Sequence, residues 1–437
     1  MNVQKQKGNV VAIVMMIFLF AMISFVTNLA APMGVVLKNQ FGLGNSAGML
    51  GNLMNFAAYF FFGIAAGTLL SKKGYKITAL TAVSIGFVGV GIQYLSGHAS
   101  GIEGSIFNLP ISFFIYLTGA FVAGISMCML NTVVNPMLNT LGGGGNKGNQ
   151  LIQVGGSFNS LAATITPMFV GALIGEAAKA NITDVFPVMY IAMGIFAVVF
   201  IVLFLAAIPE PNLNLGKATQ KEKHSAWNFR HFVLGAIGIF VYVGVEVGIP
   251  ATMFLFLSDV KLNIFPAESA TTIAGFVTGT YWLLMLVGRS LGGVIGGKVS
   301  SKTMLMVAAG IGLVLIISAI FSPIASRVSI PAFTGSSFEM VQVPINALLL
   351  VLCGLCTSVM WGGIFNLAVE GLGKYTAAAS GIFMMMVVGG GVLPFIQSFV
   401  ADKASYMVSY WIPFLGLAYL LYYALVGSKN VNKDIPI

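Results

Sequence analysis

The chain is 437 residues long, 58% hydrophobic and only 8% charged, an apolar share well above the roughly 45–50% of soluble domains. That composition excludes a soluble globular enzyme and indicates a polytopic membrane protein. The net charge of +9 would suit nucleic acid, but the basic residues are scattered over short connections rather than gathered on one domain face, so a nucleic-acid partner is excluded as well.

Twelve apolar segments follow one another, near residues 10–36, 46–70, 76–96, 110–138, 151–175, 186–208, 231–257, 270–296, 303–322, 343–367, 376–400 and 407–427. About 20 residues of helix cross a hydrocarbon core about 30 Å thick, so the predicted class is all-α, with twelve transmembrane helices. Segment 1 is too long, and too free of a small-residue cleavage site, for a secretory signal. Six segments precede the polar connection PEPNLNLGKATQKEKHSAWNFR and six follow it. The expected domains are therefore an N-terminal half at 1–208, a cytoplasmic central loop at 209–230 and a C-terminal half at 231–437. Orientation follows from the basic residues, which accumulate in short cytoplasmic loops. With both termini inside, sixteen of the 21 fall on the cytoplasmic side, Arg289 at the end of segment 8 among them. Lys38, Lys179, Lys261, Arg327 and Lys403 remain outside.

Segment 7 is an apolar run with one carboxylate, Glu246, at its middle. An ionised side chain near the bilayer midplane is costly, and such residues face a wet cavity or the bundle interior rather than lipid. Glu246 is therefore the predicted ion-coupling residue; the alternative is a protonated glutamate tying two helices together. The other polar residues within the segments are mostly amides and hydroxyls, including Asn52 and Asn55, Ser160, Thr278 and Asn346. Such groups both donate and accept, which suits a neutral, hydroxyl-rich solute better than a phosphate or carboxylate, for which arginine would be expected. Asn131 and Asn135 lie four apart, on one helix face. Trp282 and Trp361 lie too deep for interfacial anchoring, where their rings can stack on the apolar face of a sugar. The predicted sugar contacts are Asn28, Asn131, Asn135, Gln153, Asn159, Trp282, Trp361 and Asn366.

No enzyme, cofactor or metal site is predicted. His98, His224 and His231 fall at loops or helix ends without triad or metal spacing, and Gly142–Gly145 lacks the Gly-Lys-Ser/Thr ending of a phosphate loop. Cys128, Cys353 and Cys356 lie inside apolar segments, where the CGLC spelling reads as packing.

A repeat links the halves. GTLLSKKGYK at 67–76 and GVIGGKVSSK at 293–302 place Gly67, Lys72 and Lys76 on Gly293, Lys298 and Lys302 at one constant offset, the mark of two parallel six-helix copies with a cargo site between them. These turns resemble the loop signature of the major facilitator superfamily, with Ser71 where its acid usually stands, and the resemblance implies that all six residues act in gating. Three stretches carry a narrower resemblance: MLNTVVNPMLNTLGGGGNKGNQLIQVGGSFNS at 129–160, YVGVEV at 242–247 and GIFNLAVEGLGKYTAAASGIFMMMVVGGGVLPFIQSFVAD at 363–402. They are similar to the fucose and glucose/galactose permease family, and imply a twelve-helix symporter for a hexose or deoxyhexose, usually proton-driven; the expected cargo extends to an N-acetylhexosamine and the expected place is the inner membrane of a bacterium. Where that family has an aspartate in the first helix and a glutamate in the fourth, this chain has Ala31 and Asn131; a binding amide of the fifth helix falls on Gly156. Glu246 alone is left to couple transport. It is expected to be neutral while the site is closed and to release its proton to cytoplasmic water as the halves rock. Sodium coupling, an uncoupled uniporter and a membrane nutrient sensor on a transporter fold are the competing expectations. The expected partners are a neutral sugar, a proton or sodium ion and the lipid bilayer, with the protein acting as a monomer.

Overall fold

The computed structural model describes residues 3–99, 101–102, 104–106, 109–142, 145–176, 179–210, 225–295, 299–335, 337–372 and 375–431. Among these residues, eleven helices are long and apolar enough to cross a membrane, and one of them, Leu50–His98, spans 49 residues and makes two crossings. The two are separated at Gly74, whose φ of 83° only glycine adopts without strain. Segments 2 and 3 thus meet at the basic turn, and the count of twelve stands. Most of the predicted central loop, residues 211–224, lies outside the described residues, as does Lys298.

Each crossing satisfies its own backbone, as hydrocarbon requires. Segments 4 to 9 run Ile111–Leu141, Gly145–Ile174, Phe186–Leu205, Arg230–Ser258, Ala267–Ile295 and Ser301–Phe321. Their ends follow local rules. Asn181 and Asp184 form a capping box ahead of segment 6, and the Ser300 side chain accepts from the Thr303 amide to start segment 9. Among the described residues five crossings are interrupted, segments 2 and 12 within their first turns at Met49 and Tyr410, and three further along: segment 1 between Val3–Asn28 and Ala30–Gln40, segment 10 between Ile345–Thr357 and Met360–Val369, and segment 11 between Thr376–Met386 and Gly389–Lys403. At two of these last three the ladder tightens to bonds over three residues, Leu29 to Val26 and Val388 to Met385.

The connection between segments 9 and 10 adds strands to the otherwise helical chain. Arg327–Phe333 and Phe338–Pro344 pair as an antiparallel hairpin, with Val328 opposite Val343 and Ile330 opposite Val341. Arg327 pins it by donating to the Ile264 carbonyl at 2.8 Å, in the connection before segment 8.

The halves meet along pairs of crossings. Segments 5 and 8 approach closely because of glycine: a Cβ on Gly275 would lie 2.3 Å from the Pro167 carbonyl oxygen, and one on Gly279 2.6 Å from that of Thr164. Segments 2 and 11 are tied by the Asn52 amide donating to the Gly390 carbonyl at 2.8 Å. At the face opposite the termini a polar knot joins the halves. The Asp402 carboxylate accepts from the Asn45 amide at 2.7 Å, the Ser46 amide at 2.8 Å and the Ser46 hydroxyl at 2.7 Å. Buried Lys38 donates to Asn45 Oδ1 at 2.6 Å, and the Tyr406 hydroxyl lies 3.1 Å from that oxygen and 3.0 Å from Asp259 Oδ2.

Candidate functional site

Between the halves, on the side of the Asp402 knot, lies a small cavity of about 40 Å³ lined among others by Asn28, Asn52, Val247, Phe254, Thr278 and Trp282. Asn28 arrives there because segment 1 breaks immediately after it, at Leu29; its amide donates back to the Ser24 carbonyl at 2.9 Å. Trp282 stands edge-on to Tyr281, with ring centroids 5.3 Å apart. Val247 in the cavity wall is the neighbour of Glu246.

The Glu246 carboxylate turns inward, away from lipid, and is not alone. Arg289 Nη2 donates to Glu246 Oε1 at 3.0 Å, the two side chains being 15% and 13% exposed. The sequence reading put Arg289 at a cytoplasmic helix end and left Glu246 solitary; both points are corrected here. Segment 8 continues to Ile295, so Arg289 lies nearly two turns inside it, and seven residues after Trp282 it shares that residue's helix face. The other guanidinium nitrogen, Nη1, donates to the Gly156 carbonyl at 3.0 Å and to Ser160 Oγ at 2.8 Å. Segments 7 and 8 of one half are thereby joined to segment 5 of the other. Four residues before Glu246, Tyr242 is buried beside the pair, and its ring lies 6.1 Å from that of Trp361. Tyr281 donates to the Glu246 backbone carbonyl at 3.2 Å and lies 2.9 Å from Thr357 Oγ1.

The remaining predicted contacts divide. Gln153 is exposed, one turn before Gly156, and its Nε2 lies 4.0 Å from where a Cβ on Gly362 would be, next to Trp361. Asn131 and Asn135 share a face, but their amides are spent locally: Asn131 donates to the Tyr59 hydroxyl at 2.8 Å and to the Met127 carbonyl at 3.1 Å, and Asn135 to the Asn131 carbonyl at 3.1 Å. Asn159 holds segment 5 to segment 1 by donating to the Phe20 carbonyl at 2.9 Å. Of the eight predicted contacts only Asn28 and Trp282 line the cavity, and Asn366 is placed apart from the rest. It is exposed near the terminal face, 3.4 Å from Ser301 Oγ, and the structure does not bring it to the cavity. Sequence reasoning gave Ser160 no role beyond a place among the membrane hydroxyls and gave none to Tyr242 or Arg289 in the site; the spacings of four from Glu246 and seven from Trp282 were the signal for Tyr242 and Arg289 respectively. Among the described residues no group of three or more His, Cys, Asp or Glu is placed to hold a metal ion.

The profile of the Major Facilitator Superfamily matches residues 13–394. The chain belongs to that superfamily. A glucose/galactose transporter of Brucella abortus is 30% identical over 431 residues, covering 97% of this chain and 96% of that protein. The L-fucose-proton symporter of Escherichia coli is 23% identical over 445 residues, covering 95% and 92%. A crystal structure of the Escherichia coli fucose:proton symporter has the same fold, with a TM-score of 0.68 at 19% identity over 97% of this chain and 100% of that one.

Within this superfamily member the repeated basic turns are tethered inside their own halves. Lys76 Nζ donates to the Phe204 and Ala206 carbonyls at 2.8 and 2.7 Å, closing the end of segment 6, while Glu210 accepts from the Tyr75 and Lys76 amides at 2.6 and 2.8 Å. Its counterpart Lys302 reaches the Leu425 carbonyl at the end of segment 12, at 3.3 Å. Lys72 is exposed, Gly67 has open space beside it, and Gly293 lies in the last turn of segment 8. Neither Lys76 nor Lys302 hydrogen-bonds to the opposite half among the described residues.

Proposed function

We propose that the protein takes up a neutral sugar by alternating access across the cytoplasmic membrane of a bacterium, coupled to protons, with both termini in the cytoplasm. The observation that carries this reading is Glu246, 13% exposed between the halves, next to a cavity lined by amides, two threonine hydroxyls and tryptophan. Trp282 and Trp361 offer stacking surfaces, and Asn28 and Gln153 offer groups that donate and accept. The cavity lining of amides, threonine hydroxyls and tryptophan supports a neutral cargo, since these groups both donate and accept. The names of the Brucella and Escherichia relatives support a hexose or deoxyhexose. The two halves, divided at 209–230, rock about the cavity, and Glu246 takes up a proton with the sugar and releases it to the cytoplasm.

Purified protein in proteoliposomes, given labelled glucose, galactose, fucose and N-acetylglucosamine under separate pH and sodium gradients, tests this. Accumulation is expected under an acid-outside gradient alone, and loss of that accumulation in Glu246→Gln. Accumulation driven by sodium alone, or undiminished accumulation in Glu246→Gln, refutes the assignment of the proton to Glu246.

A further inference from the structure

We propose that the hairpin between segments 9 and 10 is a phospholipid-docking surface, lying along the lipid-facing flank of segments 8 and 10 with one apolar end seated in the leaflet opposite the termini. Its base is closed by the Ile345 amide, which donates to the Ser326 carbonyl at 2.9 Å. Side chains of successive residues fall on alternate faces of the strands. On the face toward the helices, Val328, Ile330 and Val343 line an apolar crevice with Val277 and Val351. The other face carries Ser329 opposite Gln342, Pro331 opposite Met340 and Phe333 opposite Phe338, so it turns from polar to apolar along its length. Met340 and Phe338 are neighbours at the apolar end, 65% and 67% exposed. Large apolar side chains grouped in this way mark an interaction surface. Glu339 between them belongs to the opposite face and accepts from the Ser337 hydroxyl at 2.8 Å.

The helical surface under the hairpin continues the one that meets lipid. On segment 8, Leu283, Val287 and Leu291 are exposed, and Phe276 and Thr280 extend their stripe toward the hairpin at spacings of four and three. On segment 10, half-buried Leu348 and Leu352 lead in the same way to exposed Leu355. The hairpin closes the outer end of this stripe: the Phe338 ring lies 5.8 Å from that of Phe276. Thr280, at the crevice, spends its hydroxyl on the Phe276 carbonyl at 2.9 Å, so the lining gives water little to bond. Depth follows from helix rise. Tyr281 donates to the carbonyl of Glu246, in the middle of segment 7, and Phe276 lies five residues closer to the face opposite the termini, about 7.5 Å at 1.5 Å per residue. Hydrocarbon reaches about 15 Å from the middle of a bilayer, so Phe276 lies within it. Open strand edges must be solvated, which sets the strands at the headgroup boundary. From there Phe338 and Met340 reach into the acyl chains, while Ser329, Gln342 and exposed Arg327 meet the headgroups.

The test uses the full chain in phosphatidylethanolamine/phosphatidylglycerol vesicles, spin-labelled in turn at Phe338→Cys, Met340→Cys, Gln342→Cys, Leu283→Cys and Ser105→Cys; the native cysteines are buried. Collision of each label is measured with oxygen, which concentrates in hydrocarbon, and with a water-soluble nickel chelate. Labels at 338 and 340 are expected to match the one at 283, with an oxygen-to-nickel ratio severalfold above that at 105, whereas the label at 342 follows 105. Where loss of the Phe276 contact disturbs the hairpin in Phe338→Cys, the label at 340 decides. Nickel collision at 340 equal to that at 105 places the surface in water and overturns the proposal. Shielding at 340 from both reagents means that protein covers this face, and overturns it equally. The measurement needs neither sugar nor an ion gradient, so its outcome is separate from that of the transport assay above.

Discussion

Replacing Asp402 by alanine should open the face of the protein opposite its termini. The carboxylate accepts three hydrogen bonds from Asn45 and Ser46 across the divide between the halves. Bonds to a charged acceptor are worth about 1.5–3 kcal/mol when shielded, but this site is exposed, and water competition reduces the set to about 2–3 kcal/mol together. At 1.4 kcal/mol per factor of ten, the ratio of open to closed molecules at that face should rise ~30- to 150-fold. Spin labels on Ser105→Cys and Lys261→Cys report it, since both positions are exposed, on that face and in opposite halves. The native cysteines, Cys128, Cys353 and Cys356, are buried and compete little for label. A new population at longer distance is expected in Asp402→Ala in the absence of sugar. Superimposable distance distributions in wild type and variant would refute the idea that this knot holds the face shut.

Other outcomes follow from single contacts. Gly275→Ala places a Cβ within 2.3 Å of the Pro167 carbonyl, so segments 5 and 8 must separate; overpacking of this kind costs about 1–3 kcal/mol, seen as a lower unfolding temperature in detergent and slower exchange. Asn52→Ala removes the bond to Gly390 and should cost about 0.6–1.7 kcal/mol, the range for interhelical hydrogen bonds in membranes, measured by the same melt. Lys76→Ala frees two carbonyls at the end of segment 6 and should lower thermal stability while leaving the label distances between halves unchanged. Trp361→Ala should weaken sugar affinity by about 5- to 10-fold, the worth of one aromatic contact, with Trp361→Phe recovering most of it in counterflow assays.

Much of the architecture could be read from the residues because hydrocarbon leaves so few choices. A run of about 20 apolar residues must be a helix there, and the repeated basic turns mark where two copies bend. The hairpin at 327–344 was not legible: its alternating Val328, Ile330, Val341 and Val343 form runs too short to stand out beside the apolar segments that flank it. The site was half legible. Glu246 announced itself by the cost of its position, whereas Arg289 was hidden because distance along the chain to Lys298 is a poor guide to depth in a helix of 29 residues. Asn366 failed for the same reason in reverse, since segment 10 ends only three residues later, at Val369. Asn131, Asn135 and Asn159 were read as sugar contacts, but no reading of one segment alone reveals that the Tyr59 hydroxyl accepts from Asn131 and the Phe20 carbonyl from Asn159.

The tethers at Lys76 and Lys302 have a mechanical consequence. By fastening segment 6 to the turn before segment 3, and the far end of segment 12 to the turn before segment 9, they brace each outer flank at that face, so bending falls to the ladders cut furthest from it and from the helix starts, those of segments 1, 10 and 11. Those joints sit at Leu29, at Ser358–Val359 and at Val387–Val388, in crossings that include Asn28 and Trp361. Flexing them to open either gate also moves the groups that would hold the cargo, so grip and gate share the same moving parts.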